Sequence, residues 1–387
     1  MKIAFTSIFD INNPNSISGV LYYISHYLNK KGLDVIHIDN LDRQLYKILK
    51  FKSFYHALKK KKYLRMRDPV FIKQINKQIE KQIGISKPDI ILSQGSLEVS
   101  MLKCKQPIVI WCDGNFADLI DKHPHYLNLS EKTIHDSLML EQMAYDNASL
   151  FIFPSDWAAQ STIKNYNVNP SKVHVVQYGA NIECEYSKEE IEKVIKSRPR
   201  DVIKILFSGV DWYYKGGDIL IEAAKIIIDK GFKVELNIVG CEPKLDSDIL
   251  KFTKVHGFLS KSIILEKELI QQLYLDSHFF VLPTRYETYG ISFCEANAYG
   301  IPAIGTNTGG VPSIIKDNLN GFLIESPAPQ FIAEKIIYLF SNYDEYIMLA
   351  LSSYNEYKKR LNWDVACDKV IKLIMANKFN KNINFVK

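Results

Sequence analysis

The chain has no C-x-x-C pair and no grouping of cysteines at metal-ligand spacing. Its six cysteines, Cys104, Cys112, Cys184, Cys241, Cys294 and Cys367, are scattered. That argues against structural zinc and against a disulfide framework, and points to a reducing compartment. Long hydrophobic runs are also missing, and none reaches the roughly 20 residues needed to span a bilayer. The first residues, Met1 to Phe9, lack the apolar core of a signal peptide. We therefore expect a cytoplasmic protein that can lie on a membrane without crossing it. No Asp-x-Asp stands beside an apolar strand. Asp246-Ser-Asp248 has that spacing but lies in a polar stretch, so no metal site is expected. No recognised nucleic-acid module is present, and no nucleic-acid partner is expected.

What is there is ordinary in bulk and uneven in detail. A length of 387 residues suggests roughly two to three domains. Apolar residues at 47% and charged residues at 24% suit a globular protein. The net charge of +6 is modest, but residues 43–81 hold thirteen Lys/Arg against Asp68 and Glu80 alone. Phe51, Phe54, Tyr55, Tyr63 and Phe71 are interleaved with these cations, and Lys59 to Lys62 form an unbroken run. Leu45, Ile48, Leu49 and Tyr55 roughly keep helical spacing. Two readings stand for this segment: the solvated face of a helix, or a basic amphipathic helix for an anionic membrane surface.

Apolar runs alternate with helical patterns along the whole chain. Strands are expected at 2–5, 34–38, 89–92, 107–111, 150–153 and 173–176, with helices at 20–30, 129–147 and 156–166. Ser155 is placed to cap the last of these. Strand, helix, strand in this order is the unit of a doubly wound parallel sheet. Residues 183–200 are charged and strandless, and look like an inter-domain linker. The alternation then restarts, with strands at 203–207, 234–239, 255–258 and 279–282 and a helix at 216–230. The fold class is α/β, with domains at 1–182 and 201–363.

The richest stretch is Pro283-Thr-Arg-Tyr-Glu-Thr-Tyr-Gly-Ile-Ser-Phe-Cys-Glu295. A buried strand precedes it, and a helix over 291–298 follows Gly290 and is stopped by Gly300 and Pro302. Gly290 thus sits where a loop meets a helix N-terminus, whose unpaired N–H groups suit a phosphate. Glu287 in the loop can accept hydrogen bonds from sugar hydroxyls. Glu295, just over one turn into the helix, can do so from a ribose diol.

Glu287 and Glu295, with seven residues between them and Tyr289-Gly290 inside, resemble the EX7E motif of the family 4 retaining glycosyltransferases (group 1) with the GT-B fold. Gly300-Ile-Pro-Ala-Ile-Gly-Thr-Asn-Thr-Gly-Gly-Val-Pro312 is similar to that family's next strand and Gly-rich turn. The resemblance covers nearly the whole chain. It implies two Rossmann-like domains facing a central cleft, with the final segment, 364–387, packing back on the first domain. It implies that Glu287 and the backbone at Thr288, Tyr289, Gly290 and Ile291 hold the donor sugar, and that Glu295 holds the nucleotide ribose. Gly257 and Phe258 would meet the base. Family members carry Gly-Arg after the first strand of the second domain and Lys-Gly shortly after, two cations for the donor diphosphate. This chain keeps Gly209 and Lys215-Gly216 but has Val210 in place of the arginine, and Arg285 is a candidate replacement. A lysine at a helix start opposes the helix dipole, which favours a functional reason for Lys215. Ser18 and Gly19, before the first helix, correspond to a loop that lies against diphosphate and acceptor. Asp113 follows a buried strand, and the C-terminal ends of such strands carry ligand sites. It is either an acceptor-side catalytic group, as in an Asp-x-x-Phe subgroup of the family, or a turn residue before Gly114. His256 reads as structural.

The expected function is retaining, hexosyltransferase-type transfer from a nucleotide sugar to an acceptor hydroxyl, on a glycan or lipid-linked acceptor of surface polysaccharide synthesis. Glu287, Lys215 and Asp113 are the candidate catalytic residues. No cofactor and no metal are expected. Two alternatives stay open: a nucleotide-sugar epimerase or hydrolase of the same fold, and a non-catalytic sugar- or membrane-binding protein.

Overall fold

The computed structural model describes residues 1–326 and 328–383. The chain forms two compact units, Met1–Val176 with Cys367 onward, and Gln177–Ala366. Each unit is built on a six-stranded parallel sheet. In the first unit the strands are β1 (Lys2–Thr6), β2 (Asp34–Ile38), β3 (Ile90–Ser93), β4 (Ile108–Trp111), β5 (Leu150–Phe153) and β6 (Val173–Val175). They lie in the order β2-β1-β3-β4-β5-β6. In the second unit they are β7 (Ile203–Ser208), β8 (Val234–Val239), β9 (Thr253–Val255), β10 (Phe279–Leu282), β11 (Ala303–Thr306) and β12 (Gly321–Ile324). Their order is β12-β11-β10-β7-β8-β9.

The strand sequences explain this arrangement. Ile-Ile-Leu-Ser in β3, Ile-Val-Ile-Trp in β4 and Phe-Phe-Val-Leu in β10 are buried at every position. Strands apolar on both faces need helices on both sides of the sheet, as parallel sheets have. Each sheet winds outward in one direction and then crosses back past its first strand. The reversals fall between β1 and β3 and between β7 and β10. In doubly wound sheets ligands bind outside the C-terminal ends of the strands at such a reversal.

The structure departs from the sequence expectation in three places. The strand expected at 255–258 lies at Thr253–Val255, because the chain turns at Gly257, where φ is +69° and the carbonyl accepts from the Gly240 amide at 2.8 Å. Residues 183–200 are not a bare linker. Lys188–Ser197 is a helix opened by a reciprocal Ser187–Glu190 capping box, with Ile191 and Ile195 buried in the second unit. The basic stretch is not one amphipathic helix either. It splits into helices Gln44–Ile48, Lys50–Leu58 and Pro69–Ser86. Leu49, Tyr63 and Phe71 face inward and belong to the core.

The last helix, Trp363–Ile383, starts in the second unit, where the Trp363 indole donates to Asn181 Oδ1 at 2.8 Å. From Cys367 it belongs to the first unit. There Asp368 pairs with Lys31 at 2.9 Å and Asn377 donates to the Ser149 carbonyl at 3.0 Å.

Candidate active site

The reversal between β7 and β10 gathers the polar residues of the second unit. The loop after β7 delivers Lys215, and the loop after β10 delivers Glu287. Their side chains form an ion pair from Lys215 Nζ to Glu287 Oε2. The pair is mostly sheltered, with 22% of the lysine side chain and 10% of the glutamate exposed. Two tight approaches set it. Gly209 leaves room for the Lys215 chain, which would crowd any Cβ there. Gly309 has φ +53° and packs on the Glu287 backbone, so that a Cβ at 309 would fall on the Glu287 carbonyl oxygen. A side chain there would have to push the Glu287 loop away, and the left-handed φ adds strain for any residue but glycine. The Gly-rich turn after β11 thus acts as a buttress under Glu287.

Gly290 caps the helix Ile291–Ala298 with φ +94°, a left-handed conformation. That N-terminus presents backbone N–H groups beside the Lys215–Glu287 pair, a setting for an anion. The opposite end of this helix is anchored from the stretch read as linker. Arg198, 4% exposed, donates to the carbonyls of Tyr299 at 2.8 Å, Gly300 at 2.9 Å and Leu275 at 3.2 Å, and to the Tyr346 hydroxyl at 2.7 Å. A cation on the last carbonyls both satisfies them and complements the dipole.

Glu295 lies inside the unit at 4% exposure, and both its oxygens are engaged. Lys261 Nζ donates to Oε1 at 2.5 Å and to the Asn181 carbonyl at 3.0 Å. The Tyr274 hydroxyl donates to Oε2 at 2.9 Å. Burial, then the charge of Glu295, push the Tyr274 hydroxyl well above its ordinary range, so it stays a neutral donor. Phe258, in the turn after β9, is 60% exposed, while His256 is tied to Asn237 Oδ1 at 2.8 Å.

Tyr289 and Val210 keep their sequence reading, and Arg285 departs from it. The Tyr289 side chain points into the unit, 3% exposed, with its hydroxyl on the Tyr178 carbonyl at 3.1 Å, so only its backbone is available at the loop. Val210 is 72% exposed and supplies no charge. Arg285, the candidate replacement for the missing arginine, is engaged by other partners. Its guanidinium grips Asp218 through two bonds of 2.8 and 2.7 Å and lies over the Tyr213 ring at 4.0 Å. Lys261, Tyr274 and Arg198 were not picked out from sequence. No spacing links them to the motif, and only the folded sheet brings them to Glu295 and its helix.

In the first unit, Ser18 and Gly19 lie in the loop after β1, at that sheet's own reversal. Ile17, Ser18 and Gly19 have φ of +46°, +54° and +87°. Two consecutive non-glycine residues in the left-handed region, one of them β-branched, mark a strained loop. Asp113 follows β4, half-buried, next to Cys112, whose thiol is pushed well up by burial and then by the Asp113 charge. Buried Glu141 ties the neighbouring loops together. It accepts from Ser96 Oγ at 2.8 Å, from the Phe116 amide at 2.6 Å and from the Tyr166 hydroxyl. Among the described residues no group of three or more His, Cys, Asp or Glu could hold a metal ion. No helix among them is long and apolar enough to cross a membrane.

Two doubly wound units, each on a parallel sheet, with a cation and a carboxylate meeting at the reversal of the second, define an α/β architecture of the GT-B type. Comparison with known proteins agrees. The family described as Glycosyl transferases group 1 matches residues 188–359, and Glycosyltransferase Family 4 matches residues 17–183. The chain belongs to the family 4 glycosyltransferases. It is 24% identical over 250 residues to a D-inositol 3-phosphate glycosyltransferase of Corynebacterium urealyticum, covering 60% of this chain and 58% of that protein. It thus spans less than two thirds of that relative's length. It is 27% identical over 209 residues to the capsular polysaccharide biosynthesis glycosyltransferase CapM of Staphylococcus aureus, covering 51% of this chain and 54% of that one. Among solved structures, Anabaena Alr3699/HepE in complex with UDP and glucose superposes with a TM-score of 0.63 at 15% identity, over 97% of this chain and 99% of that one. At that identity the likeness speaks for the fold.

Proposed function

We propose that the protein is a retaining, metal-independent hexosyltransferase that uses a nucleoside diphosphate sugar and an acceptor hydroxyl on a lipid-linked or surface-polysaccharide glycan. It works peripherally at the cytoplasmic face of a membrane. The observation that carries the reading is the Lys215–Glu287 ion pair at the β7/β10 reversal, beside the N-terminus of the helix that bears Glu295. The binding of UDP and glucose by HepE and the capsular role in the name of CapM support the donor and acceptor classes.

In this reading the donor diphosphate lies against Lys215 and the amides that follow Gly290. Glu287 takes hydroxyls of the sugar, and Glu295 takes the ribose diol. The bond from the anomeric carbon to the diphosphate breaks as the bond to the acceptor oxygen forms on the same face. The acceptor proton passes to a leaving diphosphate oxygen. No side chain acts as a covalent nucleophile. Catalysis rests on positioning and on Lys215 and the helix amides meeting charge as it develops on the leaving group.

The test is a thermal-shift screen against nucleotide sugars, since a ligand that binds only the native state raises its apparent stability. Turnover of the best binder follows, with the anomeric configuration of the product read by NMR and metal chelator present throughout. Transfer with retained configuration is expected. An inverted product would remove the retaining mechanism. Donor consumption at an undiminished rate without acceptor would favour the epimerase or hydrolase alternative.

A further inference from the structure

The helix Lys50–Leu58 is built inside out. It contains no buried residue. Its inward side carries Lys52, Ser53 and His56, half-buried, with buried Leu49 just before them. Lys52 pairs with fully buried Asp68 at 2.6 Å, and the His56 ring stacks on Tyr63 with centroids 4.8 Å apart. Asp68 also accepts from the Tyr63 hydroxyl at 2.6 Å and caps the next helix through the Val70 amide at 2.8 Å. The helix is therefore fastened to its unit by polar side chains. Its apolar residues Phe51, Phe54, Tyr55 and Leu58 recur at the three- and four-residue spacing of one helical face. They are 61%, 68%, 53% and 70% exposed, and Ile48 at 60% extends the stripe. Large side chains exposed as a contiguous face mark an interaction surface, whereas isolated ones need no explanation.

The charge around the stripe says what covers it. From Arg43 to Arg67 there are ten Lys/Arg and not one Asp or Glu. Lys50 and Lys59 are exposed beside the stripe, Lys59 over the Tyr55 ring at 4.5 Å, and exposed Lys60, Lys61 and Lys62 follow. A second copy of this chain would set this cationic face against its own like charge. A nucleic-acid duplex would use the lysines but leave the four apolar side chains in water, and a single strand would stack on the aromatic rings but leave Ile48 and Leu58 exposed. A membrane with anionic headgroups uses both, because an amphipathic helix lying in the interface buries its apolar face among the acyl chains while lysines meet the headgroups.

We infer that the Lys50–Leu58 helix is a membrane-docking element that inserts Phe51, Phe54, Tyr55 and Leu58 into an anionic lipid surface while Lys50 and Lys59 to Lys62 bind the headgroups. This rests on the peripheral-membrane part of the proposed function and assigns it to one face of one helix. It narrows the basic segment recognised in sequence, since Tyr63 and Phe71 are core residues and take no part.

The experiment is flotation of the full chain with vesicles of phosphatidylcholine alone or mixed with phosphatidylglycerol. It compares wild type, the triple variant Phe51→Ser/Phe54→Ser/Leu58→Ser, and Lys59–Lys62 replaced by glutamine. All the changed side chains are exposed, so the fold is expected to persist, and circular dichroism checks it. Wild type should float with anionic vesicles at low salt. The apolar variant should lose at least about tenfold in partitioning although its charge is unchanged. The glutamine variant should lose its preference for anionic lipid. Salt should weaken wild-type binding only in part, because the Debye length falls from about 8 Å at 0.15 M to about 3 Å at 1 M while the apolar contact is unscreened. Wild type that ignores vesicles of both kinds would remove the peripheral reading and this inference with it. Wild type that floats while the apolar variant floats equally well would overturn the insertion alone. Sedimentation velocity without lipid would overturn it too if wild type dimerised and the apolar variant did not.

Discussion

Glu287 and Glu295 belong to one loop-helix segment, and each is met by a lysine, yet the two pairs are built differently. Lys215 reaches Glu287 from the loop after β7, across the reversal of the sheet. Lys261 reaches Glu295 from the turn after β9 and is itself held by the Asn181 carbonyl. The lysines are about equally sheltered, 22% and 23% exposed. The carboxylates differ in their surroundings. Glu295 is clamped from two sides, by Lys261 on one oxygen and Tyr274 on the other. Glu287 sits in a loop and is pinned through its backbone by the Gly309 turn. A doubly clamped carboxylate is a fixed acceptor, fit to hold a ligand group that does not change during reaction. A carboxylate in a single ion pair can exchange that partner for a ligand. In the proposed reading, the lysine released in the exchange is then available where leaving-group charge develops. The first arrangement suits binding and the second suits turnover.

The largest expected effect breaks the turnover pair. Lys215→Ala and Glu287→Gln should each lower kcat by about 10²–10³, corresponding to roughly 3–4 kcal/mol of transition-state stabilisation. The loss of stability should be smaller, on the order of 2 kcal/mol, because the pair is sheltered but the lysine side chain keeps 22% of its surface exposed. Steady-state kinetics beside thermal melts check both. If kcat is near native in either variant, that residue has no role at the donor and the contrast between the two pairs collapses.

The second effect falls on binding. Glu295→Ala should weaken the preferred nucleoside diphosphate by about 10- to 100-fold, the worth of hydrogen bonds to a charged group. Calorimetric titration with the ribo- and 2′-deoxyribonucleotide sharpens the assignment. Wild type should prefer the ribose form, and the variant should lose that preference. Equal affinity of wild type for the two sugars would take Glu295 out of the ribose role.

How much of this was legible in sequence follows from where each contact comes from. β10, the helix Ile291–Ala298 and the glutamates between them were readable because strand, turn glycine and helix follow one another along the chain. Lys215 was readable because a lysine at a helix start needs a reason. Lys261, Tyr274 and Arg198 were not, because each acts across the sheet on a partner distant in sequence. Arg198 was hidden further by its setting, a charged stretch that reads as linker until a capping box and two buried isoleucines make it a helix. The basic segment shows the opposite error. Helical spacing suggested a stripe through Leu45, Ile48, Leu49 and Tyr55, but Leu49 is core and the exposed stripe runs through Phe51, Phe54 and Leu58. Periodicity alone states that a face exists, and only packing states which face is covered.

A third, smaller effect tests the clamp itself. Lys261→Met removes the ammonium but keeps a long apolar stem. Glu295 then retains Tyr274 as its donor. Nucleotide affinity should fall by about tenfold or less, the scale of one charge-assisted hydrogen bond acting through another residue. Turnover at saturating donor should stay near native. Such a split, KM raised with kcat preserved, marks loss of binding that is uniform between ground and transition states. A large fall in kcat would instead place Lys261 with Lys215 and erase the distinction between the pairs.

The smallest effect is expected from Tyr274→Phe, which deletes one oxygen. The hydroxyl is fully buried and donates to Glu295 Oε2 at 2.9 Å, and the ring stacks on Tyr299 with centroids 5.4 Å apart. Phenylalanine keeps the ring and its stacking, so only the hydroxyl's hydrogen bonds, to Glu295 and with Ser208, are lost. A neutral donor to a carboxylate contributes about 1–2 kcal/mol. Part of that loss should appear as stability and part as a looser carboxylate. Lys261 still holds the other oxygen, so the nucleotide should bind only a few-fold more weakly. The double variant Tyr274→Phe/Lys261→Met decides whether the clamp is one unit. With both donors gone, Glu295 is left buried and unpaired, and the combined loss of affinity should exceed the sum of the single losses in free energy. Strict additivity in calorimetric titration would show that the two donors act independently. Glu295 would then be an ordinary acceptor whose position is set by its helix alone.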